Sequence, residues 1–76
     1  MVTTYIMIKA NTSAAEELRQ TIEAIEGVVE AHIVAGDVDL IAKASVESPG
    51  AVKELAADQI GTLTGVESTR TYVAMD

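Results

Sequence analysis

The 76-residue sequence predicts an α+β domain of element order βαββαβ, and three observations carry that expectation. Runs rich in β-branched residues alternate with two stretches of helical periodicity, and a Gly-Asp corner divides the central apolar run into a hairpin. The second half of the chain also weakly repeats the first: IEGVVEAHIVA (25–35) aligns with LTGVESTRTYV (63–73), and IMIKA (6–10) echoes LIAKA (40–44). Two similar βαβ halves describe a ferredoxin-like arrangement, a four-stranded antiparallel sheet with two helices on one face.

The elements follow in order. Residues 3–9 (TTYIMIK) are β-branched and aromatic-rich without a helix start signal, and form strand one. In NTSAAEELRQTIEAIEG, Ser13 and Glu16 stand at capping-box spacing, Ala15, Leu18, Ile22 and Ile25 recur at three- and four-residue steps, and Gly27 stops the helix. Glu16, Glu17, Glu23 and Glu26 fall mostly off that stripe and belong to a solvated face. Residues 28–35 and 38–46 are two strands joined by a short Gly36-Asp37 turn, in which Gly36 supplies a positive φ. Ser48 as N-cap, Pro49 in the first turn and Gly50 introduce helix two, whose apolar stripe is Val52, Leu55, Ala56, Gln59, Ile60 and Leu63. Residues 65–75 return to β-branched alternation as the last strand.

Strand alternation then poses a problem at the face away from the helices. If Ile6 and Ile8 point to the helices, Tyr5, Met7 and Lys9 point away; if Val38, Leu40 and Ala42 point in, Asp39, Ile41 and Lys43 point out. That outer set is too apolar for water, and a chain this short buries only about 60% of its unfolded surface on its own. With no cysteine to form a disulfide, association with a second copy is the remaining reinforcement, so a homodimer is expected.

Composition excludes several functions. Twelve acidic residues against five basic ones give a net charge of −7, which repels phosphate backbones and argues against direct nucleic-acid binding. No basic leader and no run approaching 18 apolar residues is present, so the expectation is a cytoplasmic protein without a membrane segment, and the lack of cysteine fits a reducing compartment. His32 is the only histidine, there is no cysteine nucleophile, and neither GxGxxG nor GxxxxGK[ST] occurs; no catalytic residue and no cofactor is expected. Asp37 and Asp39 are two carboxylates where a metal needs more, and a turn accounts for them, so no metal site is expected. A hairpin corner can instead hold a zwitterion: backbone carbonyls and an Asp face an ammonium, while N–H groups and hydroxyls face a carboxylate, with Thr69 and Thr71 as further hydroxyls.

GDVDLIAKASV following VVEAHIVA, together with LTGVESTRTYVAM, resembles the RAM domain, the C-terminal effector domain of the Lrp/AsnC (feast/famine) regulators, over essentially the whole chain. The resemblance implies a non-enzymatic module that pairs through its sheets into dimers, assembles further into rings and binds an amino acid or related metabolite between dimers. It places the ligand against Val34, Ala35, Gly36, Asp37, Val38 and Asp39, with Thr69 and Thr71 at the Thr-x-Thr positions; Val38 stands where the family pattern has an aromatic. Only Met1 and Val2 precede strand one, so residues 1–76 are expected to be a single stand-alone domain without a helix-turn-helix, acting by co-assembly with full-length Lrp/AsnC regulators. Three alternatives share the topology. An ACT-type regulatory domain would place its ligand near the loop after strand one, where KANTSAAEE has no glycine. A small dimeric α/β-barrel enzyme would need a base, and only His32 or a carboxylate is present; a purely structural oligomerisation domain needs neither.

Overall fold

Alternation along β1 (Val2–Ala10) decides which side of the sheet is the interior: Thr4, Ile6 and Ile8 are completely buried, whereas Tyr5 and Lys9 are exposed. The computed structural model describes residues 1–76. After β1 come α1 (Ala15–Glu23), β2 (Val28–Ile33), β3 (Leu40–Val46), α2 (Pro49–Lys53), which runs on as a π-helical segment over Glu54–Ile60, and β4 (Val66–Val73). The predicted βαββαβ order is therefore the observed one. The sheet is antiparallel throughout, with strand order β2-β3-β1-β4.

Both helices lie on one face. Leu18 and Ile22 of α1 and Leu55, Ala56 and Ile60 of the second helix form one cluster with Ile6, Ile8, Ala31, Leu40, Ala42 and Ala44 of the sheet. Thr4 is the one buried polar residue, and its Oγ1 donates to the Tyr72 carbonyl at 3.0 Å, so burial leaves it satisfied. The opposite face carries Tyr5, Met7 and Lys9 of β1, Ile41 and Lys43 of β3 and, by register, Arg70 and Tyr72 of β4. This is the partition expected from alternation in β1 and, from Leu40 onward, in β3; Val38, expected on the helix side, precedes β3 and borders the open face, and Asp39, expected on the outer face of the strand, also precedes it and accepts the Ala10 amide. No helix covers this second face.

The internal repeat is present in the geometry. Val28 N–H donates to the Ile25 carbonyl and Val66 N–H to the Leu63 carbonyl, each at 3.1 Å, closing two equivalent turns with Gly27 (φ +99°) and Gly65 (φ +96°) at the position that demands left-handed backbone. The two turns are reciprocally fastened: the Gly27 carbonyl accepts Ser45 N–H at 2.8 Å, and the Gly65 carbonyl accepts Asn11 N–H at 2.7 Å. The strand registers shift at equivalent places: Val29 of β2 is the extra residue between Val28 and Glu30, and Glu67 of β4 is the extra residue between Val66 and Ser68.

Four local expectations differ from the structure. The capping box does not form: Ala14 occupies the N-cap of α1 without a side-chain bond, Thr12 Oγ1 accepts the Ala14 amide, and Glu16 is drawn instead to Arg19. The hairpin connection is six residues, 34–39, because β2 ends at Ile33 and β3 begins at Leu40. Positive φ falls at Gly27 and Gly65 and not at Gly36, whose turn is wide enough that no left-handed residue is required. Gln59 is exposed although its spacing places it on the apolar stripe, since the π-helical segment takes more than 3.6 residues per turn and rotates it outward; Gly61 N–H reaches the Ala56 carbonyl, five residues back, at 2.9 Å. The N-cap of α2 is as expected, with Ser48 Oγ accepting Ala51 N–H and Pro49 in the first turn.

The outer edge of β2 is occupied from the helix layer. Glu23 Oε2 accepts Ala31 N–H at 3.1 Å and Arg19 Nη1 donates to the Ala31 carbonyl at 3.5 Å. Two side chains of α1 thus engage both backbone groups of one edge residue.

Candidate functional site

The 34–39 connection is fastened to β1 by three bonds. Asp39 N–H donates to the Ile8 carbonyl at 3.0 Å, Asp39 Oδ2 accepts Ala10 N–H at 2.8 Å, and Lys9 Nζ donates to the Asp37 carbonyl at 3.2 Å. A further bond, Val34 N–H to the Asp39 carbonyl at 2.9 Å, closes the base of the connection. The Ala10 amide lies where β1 shifts register, so the Asp39 carboxylate takes up a donor that the sheet leaves over.

These bonds carry residues 37 and 38 over the face of the sheet that the helices leave open. Asp37 and Val38 there line a depression of about 450 Å³ together with Met7, Arg70 and Tyr72. The register explains the grouping: Met7 pairs with Arg70 across β1 and β4, and Tyr72 lies opposite Tyr5. Val38 and Met7 are half-buried, while Asp37, Arg70 and Tyr72 are exposed. The carboxylate of Asp37 and the guanidinium of Arg70 make neither a hydrogen bond nor an ion pair within the chain, whereas Arg19 is committed to Glu16 and Glu23.

The residues singled out in the sequence divide by face. Gly36, Asp37 and Val38 form the outer part of the connection, Val34 its half-buried base and Ala35 its exposed shoulder. Asp39 accepts the Ala10 amide through Oδ2. Thr69 pairs with Ile8 and Thr71 with Ile6, so both hydroxyl-bearing side chains share the helix-side face and stand away from the depression. Arg70, Met7 and Tyr72 are not marked as binding residues by any motif in the sequence. Alternation alone puts Arg70 on the opposite side from the two threonines that flank it, and this is the available signal.

Two other places bear on the alternatives. The loop after β1 borders a groove of about 380 Å³ between α1 and residues 63–64, lined by Thr12, Leu18, Thr21 and Leu63 among others; its one charged residue is Glu17. His32 is exposed, with Nε2 2.8 Å from Glu30 Oε1, and its cross-strand neighbour is Ile41, so no nucleophile stands beside it. That hydrogen bond from His32 holds the Glu30 carboxyl below the usual range, with Lys43 a lesser contributor. No helix is long and apolar enough to cross a membrane.

Comparison with known proteins completes the description. Residues 3–76 match the family described as the Lrp/AsnC ligand binding domain. A leucine-responsive regulatory protein of Haemophilus influenzae is 33% identical over 70 residues, which is 92% of this chain and 42% of that protein, so the chain spans less than half the length of this curated relative. Among solved structures, TTHA0845 from Thermus thermophilus is 26% identical and superimposes with a TM-score of 0.93 over all of this chain and 95% of its own. PHS023 from Pyrococcus horikoshii is 25% identical, with a TM-score of 0.89 over all of this chain and 92% of its own.

Proposed function

This chain belongs to the Lrp/AsnC ligand binding domain family, and from that membership we propose that it is a non-enzymatic module that senses an amino acid or related metabolite as a homo-oligomer. The observation that carries this reading is the span of the family match, which takes in β1, the 34–39 connection and β4, the three elements that border the depression on the open face. The name of the Haemophilus influenzae relative supports an amino-acid ligand and a role in regulation.

Self-association is supported by the open face itself. Tyr5 and Tyr72, paired across β1 and β4, are 39% and 50% exposed, with Met7 and Ile41 beside them. Three of the five basic residues, Lys9, Lys43 and Arg70, belong to this face of an otherwise acidic chain. A second copy laid on it removes the apolar patch from water and spares the two acidic helix layers from meeting. In the cell the module acts on full-length Lrp/AsnC regulators by co-assembly in the cytoplasm.

Thermal unfolding across the twenty L-amino acids tests the reading. A ligand bound only by the folded state adds about 2.7 kcal/mol at a hundred times its dissociation constant. A flat panel at millimolar ligand, with the protein above its association concentration, overturns amino-acid sensing. Sedimentation of Tyr72→Glu tests the interface: it is expected to give a folded monomer, and an unchanged oligomer rejects the open face as the contact. Co-expression with a full-length regulator of the same organism is expected to yield mixed oligomers by mass, and their absence rejects co-assembly.

A further inference from the structure

We infer that His32 makes self-association through the open face sensitive to acid: by taking up a proton it adds a cation to a face that is already positive and loosens the contact between two copies. This inference rests on the self-association proposed above and supplies its regulation.

The registers set His32 on that face. Ala31 is buried against the helices, so Glu30 and His32, its neighbours in β2, point to the other side. Two rows of side chains then cross all four strands: His32, Ile41, Met7 and Arg70 in one, Glu30, Lys43, Tyr5 and Tyr72 in the next. Ile41, Met7 and Tyr5 hold the middle, and His32 and Glu30 stand together on an outermost strand, with Nε2 of one 2.8 Å from Oε1 of the other.

The charges around His32 come from every strand. Glu30 shares β2, Lys43 lies diagonally across on β3, and Arg70 closes the row on β4. At the hairpin end Lys9 of β1 stands beside Asp37, with its ammonium on the Asp37 carbonyl, and the Asp39 carboxylate is turned to the Ala10 amide. On the helix side of β2, Arg19 and Glu23 of α1 are engaged with each other and with the Ala31 backbone. The two rows thus carry two cations, Lys43 and Arg70, and one carboxylate, Glu30; that excess of one positive charge becomes two when His32 takes up a proton.

Symmetry enlarges this change. Two copies that share the open face meet through the same surface, so the excess on one faces the same excess on the other. Repulsion follows the product of the two charges and rises roughly fourfold when each goes from one to two. The acidic residues on the outer side of the helices do not cancel it, because they are set back by a helix diameter of roughly 10 Å, farther than the Debye length of about 8 Å at 0.15 M salt. Histidine is also the side chain whose ordinary charge change falls within about pH 5 to 8. The neutral ring already donates to the Glu30 carboxylate and the charged ring keeps that bond, so the proton alters charge and not fold.

Sedimentation equilibrium of the whole chain in about 0.15 M salt, between about pH 7.5 and 5.5, is the test, since carboxylates at their ordinary values do not change charge in that window. The dissociation constant of the wild type is expected to rise roughly three- to tenfold toward acid, as two symmetry-related exposed charge contacts allow. His32→Gln is expected to hold one dissociation constant throughout, and His32→Lys to be weakened already at neutral pH. His32 is exposed, so both variants keep the fold, which circular dichroism verifies. The same acid response in His32→Gln as in the wild type, or tighter association of the wild type in acid, overturns the role of His32. If Tyr72→Glu gives a folded monomer while the wild type keeps one dissociation constant across the window, the switch is wrong and the open-face contact stands. If the wild type is a monomer at every pH, the switch and the self-association fall together.

Discussion

Asp39 and Ala10 are 29 positions apart in sequence, yet the carboxylate of one accepts the backbone amide of the other at 2.8 Å, in a part-buried setting where Ala10 faces the bulge of β4. This bond anchors the connection that borders the depression through one oxygen of Asp39. Asp39→Ala leaves the Ala10 donor without a partner and is expected to lower stability by about 1–3 kcal/mol. Asp39→Asn keeps an oxygen acceptor and should lose less. Urea unfolding of the two variants checks the order, and equal stability of wild type and Asp39→Ala would remove the anchor from the account.

Glycine matters at two positions and not at the corner. Gly27 and Gly65 adopt positive φ, and an added Cβ would also press on Val46 at 3.3 Å in the first case and Thr12 at 3.2 Å in the second. Gly27→Ala and Gly65→Ala are each expected to cost at least about 1–2 kcal/mol. Gly36→Ala meets nothing within 4 Å and has no positive φ, so its stability should stay within about 0.5 kcal/mol of wild type. Thermal unfolding of the three single variants measures the contrast.

Acid sensitivity has an identifiable source on α1. The Arg19 guanidinium, 2.7 Å from Glu16 Oε1, holds the Glu16 carboxyl below its usual value, and Gln20 adds to the effect. Because the folded-state value is depressed, the contribution is present above the ordinary carboxylate range and is lost as pH falls through the folded value. Glu16→Gln should therefore flatten the stability loss on going from neutral to acid pH. The difference will be small, since the pair is exposed to solvent. Urea midpoints at pH 7 and pH 3 test it; an unchanged slope rejects the assignment.

The occupation of the β2 edge by α1 predicts a solubility effect. Glu23→Ala combined with Arg19→Ala frees both backbone groups of Ala31, close to Val29 and Ile33, which are 54% and 47% exposed. An uncovered edge of this kind templates further pairing, so faster aggregation on warming, followed by light scattering, is expected. Scattering identical to wild type would show that the edge was not protected by these side chains.

Element order, the interior set Ile6, Ile8, Leu40 and Ala42, the open set Tyr5, Met7 and Ile41, and the Ser48 cap are all legible in the sequence, because each depends on neighbours within a few positions. The ends of the hairpin are not. Val34, Ala35 and Val38 continue the apolar runs of the two strands, but the ladder stops at Ile33 and Leu40, and Asp39 turns aside to pair with the end of β1. Gly36 has the local chemistry of a turn glycine, while the demand for positive φ comes from the two helix-to-strand turns. The threonines of the last strand are visible as a pair, yet which face they take depends on the register with β1, and that same register brings Arg70 beside Met7. The π-helical turn leaves no local mark beyond the spacing of Leu55, Ala56 and Ile60.

The strand order has a consequence for how the chain folds. β1 and β2 come from the first half and β3 and β4 from the second, and in the sheet no strand touches the other strand of its own half: β1 lies between β3 and β4, and β2 pairs with β3 alone. The turn carbonyl of each half is likewise satisfied by the other, Gly27 by Ser45 and Gly65 by Asn11. Neither βαβ unit therefore possesses a ladder of its own, and a fragment cut between β2 and β3 has no sheet to form. Folding is therefore expected in one cooperative step that closes the long β1–β3 and β1–β4 pairings, with coincident urea transitions by circular dichroism and tyrosine fluorescence as the check.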